Sequence, residues 1–306
     1  MGTPQAVIAT DALTKHYGNV EALVDLTLDV RPGEIFGFLG PNGAGKSTMI
    51  RTLLGFLHPT RGSATVLGLD VVADSVEIRR RTGYLPGGIA LYDALSGADA
   101  LEYLAALQDR GSSMREELCE RLQMPASVLR RRVRDYSRGM RQKIGVIQAF
   151  QHDPELAILD EPTEGLDPLM QHAFYALMDD QRAKGRTIFF SSHVLSEVER
   201  VCDRVAIIRS GHLMALQNVD ELLARRKKKV ELRWRGVAPD LAGIPGLADV
   251  EVKGDRMRAT LLGDVSGFVR AIASPSLEDL TIEPARLEEA FLEFYAGDEA
   301  SEEQRG

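Results

Sequence analysis

Cysteine is nearly absent. Of 306 residues only Cys119 and Cys202 carry a thiol, far apart in sequence and beside no histidine cluster. That excludes a disulfide framework and a zinc-ligand spacing, and makes a reducing compartment the expected home. Basic charge is also short, with 37 Lys and Arg against 45 Asp and Glu, a net charge of −8. A general nucleic-acid binder would need the opposite balance to neutralise phosphates, so no nucleic-acid partner is expected. No run approaches about 18 consecutive apolar residues, so no segment is expected to span a bilayer. Met1-Gly2-Thr3-Pro4-Gln5 lacks the charged and apolar regions of a secretion signal. What is present, 44% hydrophobic and 27% charged residues, suits a soluble globular chain of one large or two ordinary domains.

One stretch organises the rest. Gly40-Pro41-Asn42-Gly43-Ala44-Gly45-Lys46-Ser47-Thr48 fits G-x-x-x-x-G-K-[ST], a phosphate-binding loop. Glu34 to Leu39 before it reads as a short buried strand, and Thr48 to Leu54 after it as a helix, the context the motif requires. Glycines let successive N–H groups turn inward around phosphates, and the helix start adds partial positive charge. Lys46 would reach the β- and γ-phosphates and the Ser47 hydroxyl would ligate Mg²⁺, so ATP and Mg²⁺ are the expected ligands.

Around the loop the chain alternates strands and helices, with one interruption. Residues 6–31 read as an antiparallel hairpin or meander ending at Arg31-Pro32-Gly33. Tyr17, between its strands, reads either as an amphipathic aromatic at a loop edge or as a ring stacked on adenine. Tyr84-Leu85-Pro86 is a strand closed by Gly87-Gly88. Residues 87–152 are mostly helical and form a subdomain inserted into an α/β core. Near its end Ser137 sits at an N-cap position with Gly139 in the first turn. These two make either a well-capped surface helix or a second anion site. Leu156 to Glu161 is an apolar strand ending in two acids. At the carboxyl end of a parallel strand Asp160 would hold Mg²⁺ and Glu161 would orient or deprotonate a water. Thr187 to Ser192 is another buried strand, and His193 at its end is either structural or a γ-phosphate contact.

Taken in order, these motifs resemble the nucleotide-binding subunit of an ATP-binding cassette (ABC) transporter, over roughly residues 6–224. Gly40 to Thr48 matches Walker A, and Asp160 and Glu161 match the Walker B aspartate and catalytic glutamate. Tyr136-Ser137-Arg138-Gly139-Met140 is similar to the signature usually written LSGGQ, with Ser137 and Gly139 matching and Tyr136, Arg138 and Met140 departing. Gly165-Leu166-Asp167 resembles the D-loop, though Glu164 precedes it where serine is commoner. His193 resembles the switch histidine, and Tyr17 falls where the family stacks adenine. Gly87 occupies the position of the family's Q-loop glutamine. The resemblance implies a P-loop ATPase core with an antiparallel β subdomain and the helical insertion. It also implies two copies sandwiching two ATP molecules, Ser137 and Gly139 of one covering the γ-phosphate held by the other.

After about residue 225 the composition changes. Arg225 to Lys229 is a basic run, either a solvated linker or an attraction for anionic headgroups. Val230 to Arg235 alternates as a strand, and Val250 to Met257 reads as a hairpin around Gly254. A helix near Val265–Ala273, a strand near Asp279–Ile282 and a helix from Pro284 to Tyr295 complete a small α/β accessory domain over 225–296, with 297–306 as a disordered tail. Leu287 to Tyr295 resembles the closing helix of the drug-exporter (ABC-2) branch. The expected protein is an ATPase on the cytoplasmic face of the membrane. It would be held there by a separate permease that exports a drug, lipid or other hydrophobic small molecule. The competing reading is a soluble ABC ATPase acting on the ribosome or DNA; the acidic balance and the lack of a second cassette weigh against it.

Overall fold

The computed structural model describes residues 5–108, 111–224, 228–236, 243–262, 265–273 and 276–283. Strands β1 (Ile8–Tyr17) and β2 (Val20–Val30) pair antiparallel across a Gly18-Asn19 turn. β3 (Ile35–Leu39) is buried at every residue and runs into the glycine loop and helix α1 (Lys46–Leu53). β4 (Arg61–Val66) returns to pair with β1, and β5 (Leu69–Asp70) completes a sheet of order β2-β1-β4-β5. β4 starts at Arg61, earlier than the Ser63 read from sequence, because Arg61 pairs with Thr14 beyond a bulge in β1.

Helix α2 (Ser75–Arg81) leads into β6 (Thr82–Leu85). The helical insertion follows as α3 (Gly97–Gln108), α4 (Arg115–Arg121), α5 (Ala126–Leu129), a single 3₁₀ turn at Val133–Asp135, and α6 (Arg138–Phe150). The core resumes with β7 (Leu156–Asp160), α7 (Pro168–Ala183), β8 (Thr187–Ser192), α8 (Leu195–Val201), β9 (Arg204–Arg209) and β10 (His212–Asn218). The central sheet has the order β10-β9-β3-β8-β7-β6, and β3, β6, β7, β8 and β9 pair parallel. Its inner strands read as unbroken apolar runs because both faces are covered. Phe189 of β8 stacks on Phe36 at 5.8 Å and meets Phe38 at 5.4 Å.

By contacts the chain divides at Leu216/Gln217, a few residues ahead of the boundary read from composition. The second unit contains α9 (Val219–Ala224), β11 (Lys228–Trp234), β12 (Leu247–Lys253), β13 (Arg256–Leu261), α10 (Val265–Ile272) and β14 (Leu277–Glu283). Its sheet has the order β12-β13-β11-β14. Val230, Leu232 and Trp234 alternate inward on Met257, Leu261, Phe268 and Ile272. Lys228 and Lys229 of the basic run open β11, while Arg225 to Lys227, the helix read over Pro284–Tyr295 and the tail lie outside the described residues.

One ion triad ties the antiparallel sheet to the central one, its Arg204–Glu34 pair buried and its Asp29 half-exposed. Arg204 of β9 lies 3.1 Å from both Glu34, just before β3, and Asp29 of β2, with its guanidinium over the Phe36 ring at 5.6 Å. Burial pushes the Glu34 carboxyl up; the Arg31 backbone N–H and the Arg204 charge pull it back. Removing one partner of a buried pair leaves an uncompensated charge, so Arg204→Met is expected to cost about 3 kcal/mol, read as a lowered urea midpoint.

Candidate nucleotide site

The site grows from the carboxyl ends of β3, β7 and β8. Leu39 pairs with Ser192 and Asp160 with Ser191, so the strands end level and discharge Gly40, Glu161 and His193 on one edge. Gly45 turns the loop into α1 at φ +111°, and a Cβ there would stand 2.4 Å from the Ala22 carbonyl, so only glycine fits. Lys46, 6% exposed, donates to the carbonyls of Gly40 at 2.7 Å and Pro41 at 3.2 Å. Its ammonium also lies 3.3 Å from Glu161 Oε1.

Two carboxylates are held from several sides. Asp160 accepts from Ser47 Oγ at 2.9 Å and from Ser191 Oγ at 2.5 Å. Glu161 occupies the left-handed region at φ +52°, sparsely populated for a side chain with a Cβ. Its N–H donates to the Ser191 carbonyl at 3.2 Å, and its Oε2 lies 2.5 Å from His193 Nδ1. Glu161 thus spans two cationic or donor groups, Lys46 and His193, one on each oxygen.

These groups face a cavity of about 610 Å³, within the size of small-molecule sites. Asn42, Gly43, Gly45, Lys46, Ser47 and Thr48 line it, with Asp160, Glu161 and His193 opposite. Gly40, Pro41 and Ala44 are not among the lining residues, Gly40 and Pro41 serving Lys46 through their carbonyls. Tyr17 is outside the lining; its ring is 45% exposed with the Lys15 ammonium 5.5 Å away, and Val20 to Ala22 of β2 form the adjacent wall. Ser137 caps α6 by accepting from Met140 N–H at 3.2 Å, and neither it nor Gly139 lines the cavity. A Cβ on Gly87 would stand 3.1 Å from Asp160 Oδ2, so this backbone closes directly over that carboxylate. Burial first, then the Asp160 charge, push the nearby Tyr84 phenol up.

Several supporting residues were not singled out from sequence. Ser191 orients Asp160, and two hydroxyls closing an otherwise apolar strand were the signal for it. Gln142 reaches from α6 to the Pro162 carbonyl at 2.7 Å. Glu197 of α8, 8% exposed, accepts from Thr163 Oγ1 and from Ser192 Oγ at 2.7 Å, bracing the two segments that carry Glu161 and His193. Burial, then Glu197, push the Tyr175 phenol hydrogen-bonded to it strongly up. Tyr136, the first departure in the signature, is buried and donates to the Val128 carbonyl at 2.9 Å, anchoring the helical insertion.

Comparison with known proteins fits this geometry. Residues 23–164 match the family model described as ABC transporter. A Synechocystis protein named as an uncharacterized ABC transporter ATP-binding protein is 34% identical, over 87% of this chain and 79% of its own. The daunorubicin resistance ATP-binding protein DrrA3 of Streptomyces coeruleorubidus is 33% identical, over 95% of this chain and 96% of its own. Among solved structures, an ATP-binding subunit of an ABC transporter aligns with TM-score 0.66 at 32% identity, covering 71% of this chain and 91% of that one. A bacterial ABC transporter cassette solved as a dimer aligns with TM-score 0.64 at 20% identity, a likeness of fold, covering 69% of this chain and 98% of that one.

Groups that orient a metal-holding carboxylate typically change metal affinity by 10–100-fold when removed. Ser191→Ala is therefore expected to raise the Mg²⁺ concentration for half-maximal tightening of a fluorescent ATP analogue by about tenfold. An unchanged Mg²⁺ titration would remove Ser191 from this role.

Proposed function

The chain belongs to the ABC transporter family as an ATP-hydrolysing, ATP-binding subunit, and from that premise we propose that it dimerises around two ATP molecules to drive a separate membrane permease. The cargo proposed is a drug, lipid or other hydrophobic small molecule moving outward, in line with the daunorubicin-resistance name of one relative. The observation that carries this reading is an asymmetry. Lys46, Ser47, Asp160, Glu161 and His193 meet on one cavity, whereas Ser137 and Gly139 lie off it. One chain holds the phosphates and the water-activating groups but leaves the far side open, which a second copy's Ser137–Gly139 would close.

In this reading Lys46 exchanges its loop carbonyls for the β- and γ-phosphates. Glu161 accepts a hydrogen bond from the attacking water and draws off its proton as the water oxygen bonds to the γ-phosphorus and the bond to the ADP oxygen breaks. His193 and Lys46 hold the Glu161 carboxylate on either oxygen, so its direction costs little reorganisation at the moment of reaction. Mg²⁺ suits the residues present: it needs only one or two protein oxygens beside phosphates and water. Ser47 Oγ and Asp160 Oδ2, 2.9 Å apart, offer such a pair. When bound it would neutralise charge on the phosphate oxygens.

For the permease, the fold offers an apolar groove of about 250 Å³ between the core and the helical insertion, lined by Phe56, Tyr84, Pro86, Ile89, Leu91 and Leu104. Tyr84 and Pro86 line the nucleotide cavity as well. No helix among the described residues is long and apolar enough to cross a membrane.

Glu161→Gln keeps the shape and loses the base. It is expected to lower phosphate release by at least about 100-fold and to trap an ATP-dependent dimer on a sizing column. A variant that binds nucleotide yet stays monomeric with ATP and Mg²⁺ would overturn the dimer reading. For the groove, Phe56→Asp should abolish co-sedimentation with membranes carrying the co-expressed permease; retained co-sedimentation excludes this docking face.

A further inference from the structure

Two departures from the family pattern, Arg138 for glycine in the signature and Glu164 for serine ahead of the D-loop, lie 26 residues apart in sequence and form an ion pair. The contact is broader than one bond. The stem of Arg138 lies against Gly165, where a Cβ would meet its Cγ and Cδ at 3.3 Å. Gly139 sits so close to the Gly165 carbonyl that a Cβ would stand 2.8 Å from it. One turn further along α6, Gln142 donates to the Pro162 carbonyl at 2.7 Å and approaches the Glu161 carbonyl at 3.5 Å. The segment is itself a closed turn, with Glu164 N–H on the Glu161 carbonyl at 3.2 Å and Leu166 N–H on the Thr163 carbonyl at 3.0 Å. The first two turns of α6 therefore hold Glu161, Pro162, Glu164 and Gly165, and Glu164 reaches the wall of the nucleotide cavity.

We infer that Arg138 and Glu164 are positioning residues whose ion pair fixes, within one chain, the spacing between Ser137 and Glu161. This rests on the dimer reading above and deepens it. Ser137 would face the nucleotide of the second copy and Glu161 the chain's own, so the pair makes closure on one nucleotide aim the base at the other. A stability role is a poor explanation. The two side chains are 70% and 45% exposed, and exposed pairs contribute little to folding. A rigid link between two groups needs geometry rather than net stabilisation, and glycine with serine at these positions would leave it to Gln142 and the Gly139–Gly165 backbone approach alone.

The test is a double-mutant cycle on steady-state ATP hydrolysis by the full chain, using Arg138→Gln, Glu164→Gln and both together. Each single change is expected to lower kcat about tenfold and to move the KM for ATP less than twofold, the double variant being no worse than the poorer single. Arg138→Lys, which keeps the charge, is expected to recover kcat to within about threefold of the parent, with melting temperatures alike across the set. Losses that multiply in the double variant, or that fall on KM alone, overturn the inference. The same variants are placed in the Glu161→Gln background and run with ATP on a sizing column. If the Glu161→Gln parent itself fails to dimerise, the dimer reading falls and this inference with it. A parent that dimerises while the losses multiply overturns the positioning role alone.

Discussion

Leu39 pairs with Ser192 and Asp160 with Ser191, and this register of three parallel strands brings Lys46, Asp160, Glu161 and His193 to one edge. A slip of one residue would turn each strand's side chains to the opposite face. Asp160 would then lose both hydroxyl partners, and Glu161 would leave the reach of Lys46 and His193 at once. The register is fixed by burial: β3, β7 and β8 are covered at every position, with Phe36, Phe38 and Phe189 interlocked across two of them. The aromatic packing in the core and the aim of the site are therefore one constraint.

That constraint also accounts for the strain at Glu161. A strand that ended in ordinary extended geometry would carry the next side chain onward, away from the phosphate loop. The left-handed turn at φ +52°, tied down through its N–H to the Ser191 carbonyl, swings Glu161 back between Lys46 and His193. Such a conformation persists only where surroundings over-determine it. Here they do so from three sides: β8 through Ser191, α6 through Gln142, and α8 through Glu197, which grips Thr163.

Much of this was legible in the sequence, and the division between legible and hidden is physical. Strand ends announce themselves locally, as an apolar run meeting polar residues, so Leu156–Asp160, Thr187–Ser192 and the loop at Gly40 could be placed from short windows. The N-cap at Ser137 is equally local, one hydroxyl on an N–H three residues ahead. Contacts set by tertiary packing left little or no such trace. Ser191 meets Asp160 across 31 residues, Gln142 meets Pro162 across 20, and Glu197 meets Thr163 across 34. The paired hydroxyls of β8 marked Ser191 but not its partner, and Gln142 and Glu197 looked like ordinary polar positions on their own elements. The backbone turn at Glu161 was hidden for another reason, since nothing in its residue type favours positive φ.

The departures from the family pattern make sense only as contacts. Tyr136 fills the helical insertion, its hydroxyl so near Gly97 that a Cβ there would stand 2.1 Å away, and so it fixes the root of α6. Gly87 leaves space beside Asp160 that a side chain would crowd at 3.1 Å. A glutamine anchored there would have to push the carboxylate aside or point away from it. What the nucleotide cavity and the groove share lies beside Gly87. Tyr84 and Pro86 line both cavities, and Gln148 of α6 donates to the Tyr84 carbonyl. The same helix that begins at Ser137 thus braces the strand end beside the groove and, through Gln142, the segment carrying the base. A movement of α6 cannot reach one without straining the other, because its contacts at both ends are direct and buried or half-buried.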